Sequence, residues 1–337
     1  MAKSSSTSTD REVEPIRSSS VAVILPCYRE TNHILPVIDE IGPEVSAIYV
    51  IDDACPDQTG DYVEKNCSDK RVHVLRHTSN TGVGGAMVTG YRQALHDGHD
   101  ILVKMDGDGQ MDPKLIPKLI KSIIAKHADY AKGNRFHQID AVSSMPKSRI
   151  FGNIILSFMS KLSSGYWTVF DPTNGFTALH RTAAEQLPFE RLSEGYFFES
   201  DMLFRLGMIR AVVVDVPMHA RYGEEQSGIS IPRVIPEFFA KHFINAAKRI
   251  CLNYFIRDFN LPGVQFLLGK ILLAFGLIFG GINWYDSLAT DIEATAGTVV
   301  LAALPIILGT QFLISFLNYD VRNYPTVSLQ NNEFSED

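Results

Sequence analysis

Along the first two thirds of the chain, hydrophobic residues come in short, β-branched runs. Residues 21–28 (VAVILPCY), 47–54 (AIYVIDDA), 71–77 (RVHVLRH) and 100–106 (DILVKMD) each have the length and composition of a buried strand. Between them, residues 32–41, 57–66 and 84–96 space their apolar positions with a helical period. Strands alternating with helices predict an α/β domain built on a mostly parallel sheet. Such sheets bind ligands beyond the carboxyl ends of their strands. The unusual polar residues fall there: Tyr28 and Glu30 after the first strand, Asp52 and Asp53 after the second, Asp106 and Asp108 after the fourth.

The pattern changes after residue 232. Residues 235–255 and, earlier, 150–166 each gather large apolar side chains on one helical face, and the later of the two leads directly into a longer apolar run. That predicts an amphipathic helix lying at a membrane interface. Residues 264–284 carry one charge, Lys270, and residues 297–317 carry none. Each has about the 20 residues needed to cross a bilayer. With a short acidic connection (Asp286, Asp291, Glu293) between them, they read as a transmembrane hairpin. Lys241, Lys248, Arg249 and Arg257 precede the first span, which puts the N-terminal domain on the cytoplasmic side of the plasma membrane. The expected organisation is a disordered Ser/Thr-rich tail (1–19), an α/β domain (20–232), a juxtamembrane helix (233–260), two spans (261–320) and a tail on the cytoplasmic side (321–337).

A net charge of −7 gives no bulk electrostatic case for nucleic acid as a partner. Cys27, Cys55, Cys67 and Cys251 follow no metal-ligand spacing and are expected as reduced thiols.

The stretch with the most chemistry is KMDGDGQMD, residues 104–112. Two carboxylates at the end of a buried strand are costly without a cation. An EF-hand reading fails, because positions six and twelve hold Met111 and Pro117 instead of Gly and Glu. Mg²⁺ or Mn²⁺ shared with substrate phosphates fits the loop better, and the glycines let a ligand approach the backbone. HTSNTGVGGAMVTG offers Gly82-x-Gly84 but has Met87 where a dinucleotide loop needs its third glycine. Gly84 and Gly85 are therefore expected to serve helix–strand packing, while Asn80 and Gly82 stay within reach of a nucleotide. DPTNGF (171–176) is a turn by composition. KGNRF contributes Arg135, YFFESDMLFRL contributes Glu199 and Asp201, and RYGEEQSGIS contributes Arg221 and Ser227.

Taken in order, PCYRE, DD, DGDGQ, GNRF and DPTNGF followed by a basic residue resemble the motif set of the family 2 inverting glycosyltransferases, over about residues 20–260. More narrowly, the chain resembles the polyprenyl-phosphate glycosyltransferases, which include dolichyl-phosphate mannose synthases and bacterial undecaprenyl-phosphate glucosyltransferases. The resemblance implies a GT-A (Rossmann-like) domain that transfers one hexose from a nucleoside-diphosphate sugar to polyprenyl phosphate. By matching position it implies Pro26, Tyr28, Glu30 and Asp53 for the nucleotide, beside the Asn80 already placed within its reach. It assigns Asp106 to nucleotide and metal, and Asp108 and Gln110 to the same Mg²⁺ or Mn²⁺. Asp171, Arg135 and Arg221 fall at the reaction centre, and Arg149, Arg221 and Ser227 near the acceptor phosphate. The resemblance also implies that the chain forms a homo-oligomer. Many mannose synthases carry a GESK-like loop where this chain has GEEQSGIS, without the lysine. Two other readings compete. A processive polysaccharide synthase would carry Gln-x-x-Arg-Trp, and neither Trp167 nor Trp284 follows an arginine. An inactive membrane-anchored scaffold would have no use for the acidic strand ends.

Overall fold

The computed structural model describes residues 19–137, 147–218 and 231–334. Seven strands form one sheet: β1 (Val21–Cys27), β2 (Ala47–Asp52), β3 (Val72–Arg76), β4 (Ile101–Lys104), β5 (Tyr130–Asn134), β6 (Thr177–His180) and β7 (Val213–Pro217), in the spatial order β3-β2-β1-β4-β6-β5-β7. All neighbours run parallel except β6, which is antiparallel to both β4 and β5. The four expected strands are the first four observed. The other three were not anticipated.

Residues of both parities along β1 are buried, as a sheet covered on two faces requires. Val21, Val23 and Leu25 pack with α1 (Ile34–Asp39) and α4 (Ile116–Ile124). Ala22 and Ile24 pack with α3 (Gly82–His96) and α7 (Phe198–Met208). The remaining helices before the long apolar ones are α2 (Thr59–Asn66), α5 (Lys147–Ser164), α6 (Arg181–Glu185) and α8 (Ile231–Cys251). The glycine expectation is corrected in part. A Cβ on Gly84 would meet Ser193 O at 2.1 Å, so Gly84 seats the start of α3 against the 193–195 loop, while the helix–strand contact falls at Gly90, against Ile24.

Helix α8 crosses the expected domain boundary at 232 and ends in a π-helical turn, Leu252–Ile256. Phe239, Phe243 and Ile244 on α8 are exposed, as are Ile154 and Phe158 on α5, which packs beside it. Then α9 (Leu261–Thr290) and α10 (Ala296–Arg322) form an antiparallel pair joined by five residues, 291–295. Both are long and apolar enough to cross a membrane. They are longer than the expected spans, so Asp286 lies inside α9 rather than in the connection. Gly269, Gly276 and Gly309 let the two backbones approach. A Cβ on Gly309 would lie 2.7 Å from Leu273 N and 2.9 Å from Gly269 O.

The hairpin is tied to the α/β domain by a buried cluster around Asp320, near the end of α10. Arg249 of α8 donates to it through Nη1 (2.6 Å) and Nη2 (2.9 Å). Tyr254 Oη donates at 2.6 Å and Trp167 Nε1 at 2.9 Å. The same guanidinium donates to Leu162 O, at the end of α5. Beyond α10 the chain returns to the sheet. Ser328 Oγ (2.6 Å) and Leu329 N (3.1 Å) donate to the buried carboxylate of Asp129, and Gln330 Nε2 donates to Ala128 O.

Candidate active site

The carboxyl ends of β4 and β5 and the start of β6 meet at one edge of the sheet. Register places Lys104 opposite Thr177, Thr177 opposite Lys132, and Lys132 opposite Asp215. Lys104 and Lys132 are both buried, on the face that carries α3 and α7. Two buried ammonium groups require carboxylates nearby; Lys104 has Asp106 and Glu199, and Lys132 has Asp171 and Asp215. Lys104 Nζ donates to Asp106 Oδ1 at 2.7 Å and lies 3.3 Å from Glu199 Oε1, in the first turn of α7. Burial alone would lower the Lys104 pKa, but Asp106 and Glu199 overcome it and hold the group above its usual range. Lys132 Nζ donates to the backbone carbonyl of Asp171. Burial pushes its pKa down, against the pull of Asp171 and Asp215. Burial likewise raises the Asp215 carboxyl, which accepts from Phe170 N (2.8 Å) and Asn134 Nδ2 (2.9 Å).

The acidic loop leaves β4 directly above Lys104. Gly107 passes close to Cys27, where a Cβ would lie 3.2 Å from Sγ, and Gly109 turns the chain at φ +76°. Gln110 N donates to Asp108 Oδ1 at 3.0 Å, and Asp112 caps the short 3₁₀ turn at Pro113–Leu115. Gly175, from the DPTNGF turn, closes over the loop; a Cβ there would meet Lys104 Nζ at 2.3 Å and Asp106 Oδ2 at 2.9 Å. The side chain of Asp106 is one-third exposed (33%). Among the described residues no group of three or more His, Cys, Asp or Glu side chains is arranged to hold an ion. Asp106 and Asp108 therefore offer part of an oxygen shell that substrate phosphates and water would complete, which suits Mg²⁺ or Mn²⁺.

Asp171 sits in a bidentate pair with Arg135, at 2.8 Å (Nε–Oδ2) and 2.9 Å (Nη2–Oδ1), with Arg135 N adding a third bond at 3.2 Å. Burial would raise its pKa; Arg135 and Lys132 outweigh that and hold the carboxyl below its usual range. A buried carboxylate so engaged orients the guanidinium and the turn that carries it. Arg135 keeps 29% of its side chain exposed.

Around the first two strand ends, Pro26 is half-buried, Tyr28 is exposed, and Glu30 lies 3.5 Å from His33. Arg29, at φ 67°, sets its guanidinium 5.5 Å from the Tyr28 ring centroid. Asp52 accepts from Cys55 N in the turn that follows β2 and from Gly60 N in the first turn of α2, each at 2.7 Å. Asp53 accepts from Thr81 N (2.8 Å) and Gly82 N (2.7 Å) and meets His77 Nδ1 at 2.7 Å. Asn80 joins the same loop, donating to Asp53 O at 3.3 Å and accepting from Gly82 N at 3.2 Å. The second strand end thus holds the start of α3 in place.

Of the candidate residues, the structure gathers Asp106, Asp108, Gln110, Arg135 and Asp171 at the β4–β6–β5 edge, and Pro26, Tyr28, Glu30, Asp53 and Asn80 beside it. Arg221 and Ser227 lie outside the described residues, as does the side chain of Arg149. Lys104, Lys132, Asp215 and the pairing of Glu199 were missed. The available signal was a lysine inside each of two otherwise buried strands, ILVK and YAKGN. A half-open cavity of about 460 Å³ lies between the 192–197 loop and α8, lined by Glu194, Tyr196, Phe197, Phe238 and Lys241 among others.

The model of glycosyl transferase family 2 matches residues 22–187, and so stops short of α8 and the hairpin. The chain is 32% identical over 202 residues to the undecaprenyl-phosphate mannosyltransferase of Micrococcus luteus, covering 59% of this chain and 82% of that protein. It is 29% identical over 218 residues to the UDP-N-acetylglucosamine–dolichyl-phosphate N-acetylglucosaminyltransferase of Methanococcus voltae, covering 60% and 86%. Among solved structures, glucosyl-3-phosphoglycerate synthase from Mycobacterium tuberculosis, in complex with Mn²⁺, UDP and glucosyl-3-phosphoglycerate, aligns with a TM-score of 0.51 at 19% identity, covering 68% of this chain and 80% of that one. That likeness is one of fold.

Proposed function

The chain belongs to glycosyltransferase family 2, and from that premise we propose that it transfers a single hexose from a UDP-sugar to polyprenyl phosphate, with inversion, at the cytoplasmic face of the plasma membrane. The observation that carries this reading is the acidic loop at the end of β4, on a domain bound through Arg249 and Asp320 to a hairpin long enough to cross a bilayer. A water-soluble donor site and a lipid-borne acceptor need that proximity. The exposed apolar residues of α5 and α8 support placing the domain against the lipid surface.

Pro26, Tyr28, Glu30, Asp53 and Asn80 border the space for the base and ribose. Asp106 and Asp108, with Gln110 beside them, would hold Mg²⁺ or Mn²⁺ on the diphosphate, where the ion neutralises the charge of the leaving group. A lipid phosphate is already an anion at neutral pH and needs no strong base to attack the anomeric carbon. What it needs is positive charge that brings two anions together. Arg135 supplies that, and Asp171 fixes its guanidinium in place. Arg149, Arg221 and Ser227 are the proposed acceptor-phosphate contacts.

The test is product formation by purified protein in detergent, given undecaprenyl phosphate, Mg²⁺ or Mn²⁺, and a panel of UDP- and GDP-sugars. The expected result is a lipid fraction heavier by one hexose or N-acetylhexosamine, lost with EDTA. Polymeric product, or no lipid product with any donor, would overturn the reading.

A further inference from the structure

We propose that Lys104 is a positioning residue of the donor site, whose buried ammonium engages one oxygen of Asp106 and links the acidic loop to Glu199 of α7, so that Asp106 takes up a divalent cation chiefly in company with the nucleoside diphosphate. This rests on the reading of Asp106 as a metal and donor ligand. Lys104 is the last residue of β4 and is 1% exposed. Its Nζ lies between Asp106 Oδ1 at 2.7 Å and Glu199 Oε1 at 3.3 Å. Leu102, which shares its face of the strand, is an ordinary apolar core residue. A buried ammonium between two carboxylates adds no more stability than apolar packing of similar volume, so stability does not account for a lysine here.

Its effect on charge and geometry does. With Oδ1 held from below, Asp106 turns Oδ2 toward Gly175. The ammonium opposes a lone divalent ion at the loop and favours the negative charges of a diphosphate. Glu199 is the second carboxylate on the same ammonium and ties α7 to the acidic loop.

The measurement is Mn²⁺ binding, followed by the electron paramagnetic resonance of the free ion, on the full chain in detergent with and without UDP. Wild-type protein is expected to bind Mn²⁺ weakly alone and much more tightly with UDP. Lys104→Met is expected to tighten binding of Mn²⁺ alone by about tenfold and to shrink the gain from UDP. Because Lys104→Met leaves Glu199 without its cation, the double variant Lys104→Met/Glu199→Gln, which removes one charge of each sign, is measured beside it and should still tighten binding, by less than the single variant, because the ammonium touches Asp106 directly and Glu199 does not. Asp106→Asn should lose the ion in both conditions. If both lysine variants bind Mn²⁺ as wild type does while Asp106→Asn loses it, Lys104 has no such role and Asp106 keeps its own. If Asp106→Asn binds normally, both readings fall together.

Discussion

At the level of single residues, Asp106 and Asp171 are distinguished by what holds them. Asp106 is part-exposed at a loop; Asp171 is buried in three bonds from one arginine. Asp171→Asn should lower thermal stability and turnover together, because breaking a buried pair costs about 3–5 kcal/mol. Asp106→Asn should abolish turnover at a smaller loss of unfolding temperature, because Glu199 still faces the buried Lys104 ammonium at 3.3 Å. Equal melting of the two variants would contradict that assignment. Gly175 is fixed by space, since any side chain would press on Lys104 and Asp106. Gly175→Ala should weaken donor binding by about tenfold, in line with a shift of roughly 1–2 kcal/mol at a tightly packed position, and isothermal titration with UDP and Mn²⁺ would read it. The acidic loop and the Arg135 and Asp171 positions could be picked out from sequence because their residue types are unusual at strand ends and turns. Lys104 and Lys132 stand out in sequence only as a charge inside a short apolar run; their meaning comes from being set either side of Thr177 by the register of three strands.

At the level of elements, β1 to β4 and the long apolar helices were legible because each is a clean run with one period. The strands β5 to β7 were not: YAKGN, TALH and VVDVP are short, two of them carry charges, and β6 runs against its neighbours. Helix α8 was legible as amphipathic, but its buried polar residues were not given roles. His242 is buried, meets Ser163 Oγ at 2.8 Å and packs edge-on against Phe197. Burial pushes its pKa down to about 4, from an ordinary 6.5. Folded protein therefore keeps it neutral where unfolded protein would protonate. The stability this represents is present above pH 6.5 and is lost as pH falls toward 4, to a limit of about 3 kcal/mol. Thermal unfolding between pH 7 and pH 5 should show the decline, and His242→Asn should flatten it.

At the level of the whole molecule, the Asp320 cluster joins four segments: α5 with its following turn, α8, the π-helical turn and α10. Asp320→Asn leaves the buried guanidinium of Arg249 without its counter-charge, a change worth about 3–5 kcal/mol. Transfer to lipid acceptor is expected to fall further than metal-dependent hydrolysis of the donor, since only the former depends on how the domain is held over the bilayer. Equal losses in both assays would count against a positioning role. The outline of an α/β domain followed by two long apolar helices was legible from the period and length of the apolar runs. The bonds that make them one body were not, because they join residues as far apart as Trp167 and Asp320.

The return of residues 328–331 to Asp129 carries a consequence for how the protein matures. The Asp129 carboxylate accepts from Val212 N at 2.7 Å, but its other partners, Ser328 and Leu329, follow both apolar helices in the chain. During synthesis the sheet emerges from the ribosome long before they do. Until residues 328–331 are made, the Asp129 carboxylate has Val212 N but lacks the two donors that the later segment supplies. Closure of the α/β domain around Asp129 is thereby made to wait for a segment that follows both long apolar helices in the chain.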